Sequence, residues 1–421
     1  MTTTSRLIHR LRITHYVLRI TYSLLTLSLL TAFLASCAPA ATPAPTADIN
    51  AASTQAMAIP SAAVTQTAQA PTAVPTEMPT PTPNIPRTPP ALPLVYQSAI
   101  LNPNDTPHTY IKDTCQYLQK KWDPNNSPPG TIAMAIMFHS ITPNFSDLTS
   151  ITPAQFNQLM QDLKDKGFAT VTSEQLADFL EHNAKIPTRS VVLILDDRRP
   201  GTVSEVFFPI LEQNNWTLTL AWPIGDGDNS TDNKPASNVL PGENFTTLWE
   251  QMEAYYSTGL LDVQSHGYIH NIPINNEVSQ FYMHSELEKP IPILEQHFGK
   301  KPIAVIWPGG GFTQRATEIA RAAGYRLGFT INPRGPVMFN WVPLQDFDDP
   351  RRPSYITDGT IGDPLMVLPR YWDTDAVIHL DEVIQIGQEA AAYAEANKAT
   401  ELAYYDIVCA PDYGPIPVAT P

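Results

Sequence analysis

The chain has 421 residues, with 41 acidic against 26 basic side chains for a formal charge of −15, and 3 cysteines beside 42 prolines. That acidity argues against nucleic acid or an anionic membrane surface as the partner and leaves neutral or cationic polymers open. The cysteine count excludes a small disulfide-built scaffold, and the length allows one large α/β domain with a full core.

At the amino terminus Arg6, Arg10, Arg12 and Arg19 precede an apolar run over 22–34, and Leu34-Ala35-Ser36-Cys37 follows at once. The run is short for a membrane span, which needs about 20 residues. The pattern resembles a bacterial lipoprotein signal peptide over 1–36, with Cys37 as the lipidated first residue of the mature chain. The alternative is an uncleaved membrane anchor. Either reading puts the remainder outside the cytoplasmic membrane, on its outer face and touching it only through the anchor. Removing such a leader, which holds four arginines and no acids, takes the charge from −15 to −19. Residues 37–93 are dominated by Ala, Pro and Thr and cannot bury enough apolar area to offset their chain entropy, so they read as a semi-extended tether. The folded domain is then 94–421, with its core over about 132–372.

Residues 132–138 form an apolar strand ending at His139. Apolar spacing through Phe156, Leu159, Met160 and Leu163 predicts a helix over 152–166, started by Thr152 as cap and Pro153 in the first turn. A strand over 169–171 and a helix over 173–183 capped by Ser173 come next. The run Val191, Val192, Leu193, Ile194, Leu195 suits a strand buried on both faces of a parallel sheet. Strand and helix then alternate through 217–221, 245–258, 261–265, 286–298, 303–307, 315–323 and 327–330, and Leu368-Pro369-Arg370 ends the last strand. Such alternation implies parallel strands with helical crossovers, an α/β fold.

Asp196 and Asp197 close the 191–195 strand, at the end where α/β folds gather ligand-binding side chains. His266 and His270 follow a second apolar run. Two imidazoles and one carboxylate leave an open position on a divalent ion, the pattern of catalytic zinc, and a second carboxylate beside the ligating one can take a proton from attacking water. Alone, each element has an ordinary explanation: a solvated turn or helix cap for the acids, and surface imidazoles for the histidines. Their order, each after an apolar run, favours the metal site.

These residues carry a family resemblance. The stretch 133–370 resembles the NodB-homology polysaccharide deacetylases, carbohydrate esterase family 4, and most of all the extracellular group that includes poly-N-acetylglucosamine deacetylases. Met137-Phe138-His139 is similar to that group's opening strand, and Leu195-Asp196-Asp197 to its first motif. His266 to His270 matches the second, His-Ser/Thr-x-x-His, with Gly267 at the hydroxyl position, and Trp307-Pro308-Gly309-Gly310 resembles the third. The resemblance implies a distorted (β/α) barrel that removes N-acetyl groups from an amino-sugar polysaccharide. Asp196 would be the base, with Asp197, His266 and His270 holding zinc, or cobalt or nickel. His139, Arg198, Trp307, Pro308, Gly309 and Arg370 are then candidates for the sugar pocket.

The chain departs from the family pattern at several points. Arg198 replaces the glycine after the acids, where it can pair with Asp197 or bind substrate. Gly309 replaces an aromatic, which implies a more open groove. The closing Leu-x-His that supplies the general acid has no clean counterpart, and His379 is a candidate without the right spacing. These departures suggest an alternative, a glycan-binding lipoprotein that keeps the barrel without turnover. A glycosidase would need carboxylates across a cleft, which adjacent acids do not provide. Cys115 and Cys409, near the two ends of the folded domain, are expected to form a disulfide worth about 5 kcal/mol in the loop-entropy model, the alternative being two separate buried thiols.

Overall fold

The computed structural model describes residues 87–143, 150–225, 245, 247–269, 273–348 and 357–419. The expected leader, Cys37, the tether as far as 86, and His270 lie outside the described residues. Residues Pro83–Pro421 form one compact unit.

In chain order the strands are β1 (Asp105–His108), β2 (Ile132–Phe138), β3 (Ser140–Ile141), β4 (Ser150–Ile151), β5 (Ala169–Thr170) and β6 (Arg189–Asp196), then β7 (Leu218–Trp222), β8 (Leu261–Ser265), β9 (Ala304–Ile306), β10 (Leu327–Phe329), β11 (Val342–Gln345) and β12 (Tyr371–Trp372). The longer helices are α1 (Thr114–Trp122), α2 (Pro153–Asp165), α3 (Ser173–His182), α4 (Phe208–Asn214), α5 (Leu248–Tyr256), α6 (Gln280–Glu288), α7 (Pro290–Phe298), α8 (Gln314–Ala323) and α9 (Asp373–Tyr404).

The main sheet runs in the order β10-β9-β8-β7-β6-β2-β12, with β5 also on β6, and every pairing in it is parallel. All seven residues of β2 are buried, as are the last seven of β6, because helices cover one face and the barrel interior the other. One short segment joins the sheet's two edges. Leu368 bridges to Phe329 on β10, and three residues later Tyr371 pairs with Ile136 on β2. Gly328 makes that closure possible, since a Cβ there would stand 2.2 Å from the Met366 carbonyl oxygen. The result is the distorted (β/α) barrel. Its helix-facing side includes the edge-to-face cluster of Phe138 on β2 with Phe156 and Phe207 on the covering helical segments, with ring centroids 5.0–5.9 Å apart. Each such ring contributes about 1.5–3 kcal/mol by burial.

Local signals account for most helix ends. Thr152 caps α2, and its hydroxyl and the Gln155 side chain exchange bonds with each other's backbone N–H groups. Thr172, not the expected Ser173, caps α3 with Gln175 in the same arrangement, and Ser173 is the buried first helical residue. The single helix expected over 286–298 is two, α6 and α7, because Pro290 has no N–H to continue the first. Cys115 on α1 and Cys409 after α9 are joined by a disulfide.

A second, smaller sheet pairs β1 with β11 antiparallel. It is locked to the barrel by Arg334, whose fully buried guanidinium donates to Asp105 Oδ1 at 3.0 Å and to Gln345, with Asp358 3.7 Å from its Nε. Asp358 also accepts from the Gln345 N–H and from Asn332. Burial pushes the Asp358 carboxyl up, and Arg334 opposes that. Arg334→Ala removes the cation between two buried acids and is expected to cost about 3–5 kcal/mol. A urea midpoint within error of wild type would contradict this.

Candidate active site

β6 delivers Asp196 to the C-terminal end of the barrel, 2% exposed. The backbone then turns sharply: Asp197 has φ 72°, a left-handed conformation uncommon outside glycine that recurs at functional sites. The two adjacent carboxylates therefore have different surroundings. Asp197 is about one-third exposed and lies 3.2 Å from Arg199, while Arg198 donates to the Ile224 carbonyl.

Asp196 is held by Arg370, which sits just before β12 on the segment that closes the barrel. Its Nη1 donates to Oδ1 at 2.7 Å, its Nη2 to Oδ2 at 3.1 Å, and its Nε to the Thr330 carbonyl at 2.7 Å. This is a bidentate, charge-assisted pair with no exposed surface on the arginine. Burial alone would raise the Asp196 carboxyl, but Arg370, then His266 and His139, outweigh it and hold the group at about 2. Asp196 is thus an anion at neutral pH.

Two imidazoles face the same carboxylate oxygen. His139, the residue after β2, places Nε2 3.5 Å from Asp196 Oδ2, and its ring stacks on Trp372 at 5.8 Å. Burial pushes His139 below the ordinary histidine value, with Asp196 pulling the other way. His266, at the end of β8, places Nε2 4.0 Å from the same oxygen. Its Nδ1 lies 2.8 Å from the Ile306 carbonyl oxygen. A carbonyl only accepts, so Nδ1 carries a hydrogen, and in the neutral ring this leaves Nε2 as the lone-pair nitrogen. This is how metal-binding histidines are oriented by a backbone carbonyl, and the donor set of a carbonyl-tethered imidazole beside carboxylates suits a divalent cation. Among the described residues no group of three such side chains meets, and the third expected ligand, His270, lies outside them.

Several sequence expectations need correction. Arg370, expected at the sugar, is wholly buried with its donors on Asp196 and Thr330. Trp307 is also fully buried and donates to the Met366 carbonyl, and Pro308 is buried beside it, so neither presents a face to a ligand. Gly309 is exposed. His379 is not at the carboxylate: it pairs with Glu382 at 2.6 Å, packs on Tyr371, and lines a separate cavity of about 800 Å³ with Asp105 and Arg334. The reason is that β12 ends at Trp372 and α9 carries His379 away along the barrel's outer side.

A family model described as polysaccharide deacetylase matches residues 183–328, a span that holds Asp196, Asp197, His266 and His270. The chain carries a polysaccharide deacetylase domain. Among curated proteins, the poly-beta-1,6-N-acetyl-D-glucosamine N-deacetylase of Escherichia coli O157:H7 is 22% identical over 227 residues, covering 47% of this chain and 34% of that one. The Bacillus subtilis (strain 168) protein YxkH, named for polysaccharide deacetylase, is 22% identical over 198 residues, covering 47% and 64%. The chain thus spans about a third of the length of the Escherichia coli relatives it matches. Similar solved structures include the Streptococcus pyogenes deacetylase PplD in complex with acetate (20% identity, TM-score 0.45, 60% of this chain and 98% of that one) and IcaB from Ammonifex degensii (18%, 0.42, 62% and 97%).

The deacetylase domain also has a site residue the sequence reading missed. Asp373, the first residue of α9, is 4% exposed, and its Oδ2 has no hydrogen-bond partner among the described residues. Burial, reinforced by Asp375 and Asp196, raises its carboxyl from 3.8 to about 7, against a bond from the Thr374 N–H. The folded chain therefore keeps this proton to about 7, while the unfolded chain releases it near 3.8. Stability from this group is accordingly lost as pH rises through that window. Asp373→Asn is expected to flatten the decline and to gain on wild type by a few kcal/mol between about pH 4 and pH 7. Parallel denaturant midpoints for the two proteins across that range would refute the assignment.

Proposed function

We propose that this domain is a metal-dependent N-deacetylase that hydrolyses acetamido groups on an amino-sugar polysaccharide, releasing acetate and leaving a free amine. The observation that carries the reading is the meeting of His139 and His266 at one oxygen of the buried Asp196 anion, at the C-terminal end of a parallel barrel. Asp197, His266 and His270 would hold the cation, zinc by the chemistry of the donor set, or cobalt or nickel. A cation bound there would polarise the acetyl carbonyl and acidify the attacking water.

The protein's own groups divide the remaining work. Asp196, fixed by Arg370 and ionised at neutral pH, accepts the proton that the attacking water loses. His139, 3.5 Å from that carboxylate and partly open to solvent, is placed to pass a proton to the departing amine. His139 rather than His379 is therefore the proton donor in this scheme. Asp196 then holds a proton and His139 has lost one, and passage of that proton from the carboxyl to the imidazole 3.5 Å away returns both to their starting states. The acidity of the chain favours a neutral polymer that becomes cationic as it is deacetylated.

Purified protein is expected to release acetate from acetylated glucosamine oligomers, with chelation abolishing release and Asp196→Asn lowering kcat by at least about 100-fold. His139→Ala should lower kcat while oligomer binding persists. Undiminished turnover by Asp196→Asn would remove the role given to that residue. Oligomer binding without acetate from the wild type would instead support a glycan-binding lipoprotein.

We further propose that the domain is displayed on the outer face of the cytoplasmic membrane, tethered by 37–93 to a lipid on Cys37. The support is the arginine-led apolar run ending in Leu34-Ala35-Ser36-Cys37. Metabolic labelling with a fatty acid is expected to mark the wild type and not Cys37→Ser; an unlabelled wild type overturns the anchor.

A further inference from the structure

The conformation of Gly267, Tyr268 and Ile269, which follow His266, is governed from a different part of the sequence. Glu286, on α6, is 1% exposed. Its Oε2 accepts from the Tyr268 N–H at 2.9 Å and its Oε1 from the Ile269 N–H at 2.9 Å. Ile269 also reaches Oε2 at 3.1 Å. The loop's carbonyls are held from the opposite side, Gly267 by the Ile224 N–H at 3.2 Å and Tyr268 by the Gly225 N–H at 2.8 Å. Lys289, at the end of α6, sits 4.6 Å over the Tyr268 ring.

Gly267 is matched to this arrangement. Its φ is 86°, and a Cβ at that position would lie 2.7 Å from Glu286 Oε2 and 3.0 Å from Pro308 Cγ. A hydroxyl-bearing residue, which the second family motif has here, would collide with the carboxylate. Glycine at 267 and glutamate at 286 are therefore two halves of one device: the first vacates the space, and the second fills it with an anion that binds the next two amides.

We propose that Glu286 is a positioning residue for the metal site, acting through the Tyr268 and Ile269 amides to fix the chain from His266 to Ile269, the residue before His270. The inference rests on the reading of those histidines as metal ligands. Glu286 does its work through the backbone and before any cation arrives: a carboxylate bonded to successive N–H groups fixes the loop in the metal-free protein, so ion binding does not have to order it.

The test uses the full chain and its Glu286→Gln and Glu286→Ala variants, with His266→Ala and Arg334→Ala as controls. In metal-free protein, hydrogen exchange at the Tyr268 and Ile269 amides is expected to accelerate at least about tenfold in Glu286→Ala and less in Glu286→Gln, which keeps one acceptor oxygen. Zinc ion alone, titrated against a competing chelator, should bind about 10–100-fold more weakly to Glu286→Ala. Arg334→Ala, which lowers global stability far from the loop, should keep wild-type zinc affinity, so a loss confined to the Glu286 variants separates positioning from general weakening. Should Glu286→Ala not fold, Glu286→Gln decides the question, and wild-type exchange and zinc affinity in it overturn the proposal. Wild-type protein that binds no zinc, or His266→Ala that binds it normally, sinks the metal reading and this inference with it. Zinc binding that depends on His266 and is indifferent to Glu286 sinks the inference alone.

Discussion

The bidentate contact between Asp196 and Arg370 fixes the upper end of the barrel. The two residues are 174 positions apart, and the arginine immediately precedes the strand that completes the sheet against β2. Its backbone N–H goes to the Asn332 carbonyl and its Nε to the Thr330 carbonyl, so one side chain ties β6, the end of β10 and β12 together. Removing two charges from water is costly, and the geometry offsets that cost with two parallel bonds and a third to a carbonyl. Asp196 is consequently unable to turn, and one of its oxygens is presented to His139 and His266 alike.

Three buried carboxylates surround this region, each compensated in a different way. Asp196 has a guanidinium and stays ionised far below its ordinary range. Glu286 has two backbone amides from the loop after β8. Asp373 has the Thr374 amide and an oxygen that no group among the described residues meets, and burial moves it to about 7. The same functional group therefore serves as a fixed anion, a brace for the backbone and a group poised near neutrality, according to what the chain packs against it.

Much of the barrel was legible in the sequence because its strands are buried on both faces and so read as unbroken apolar runs, as in 132–138 and 191–195. The Asp196–Asp197 pair and His266 were legible because each follows such a run directly. Arg370 was legible as a residue of interest but not for its role: no local pattern announces a partner so distant along the chain. The role of Glu286 was hidden for the same reason, although glycine at the motif's hydroxyl position was a visible sign that something else occupied that space. Helix α9 escaped because its inward positions include Ala376, Gly387, Ala390 and Ala394, which give a weak apolar period. The break at Pro290 and the cap at Thr172 turn on single residues whose neighbours offered competing choices.

The bond between Cys115 and Cys409 spans a sequence separation of 294 and encloses nearly the whole barrel in a covalent ring. A protease that cuts once at any surface turn within that ring opens the circle without parting the molecule. Separating the barrel from the residues that precede it therefore requires a cut ahead of Cys115.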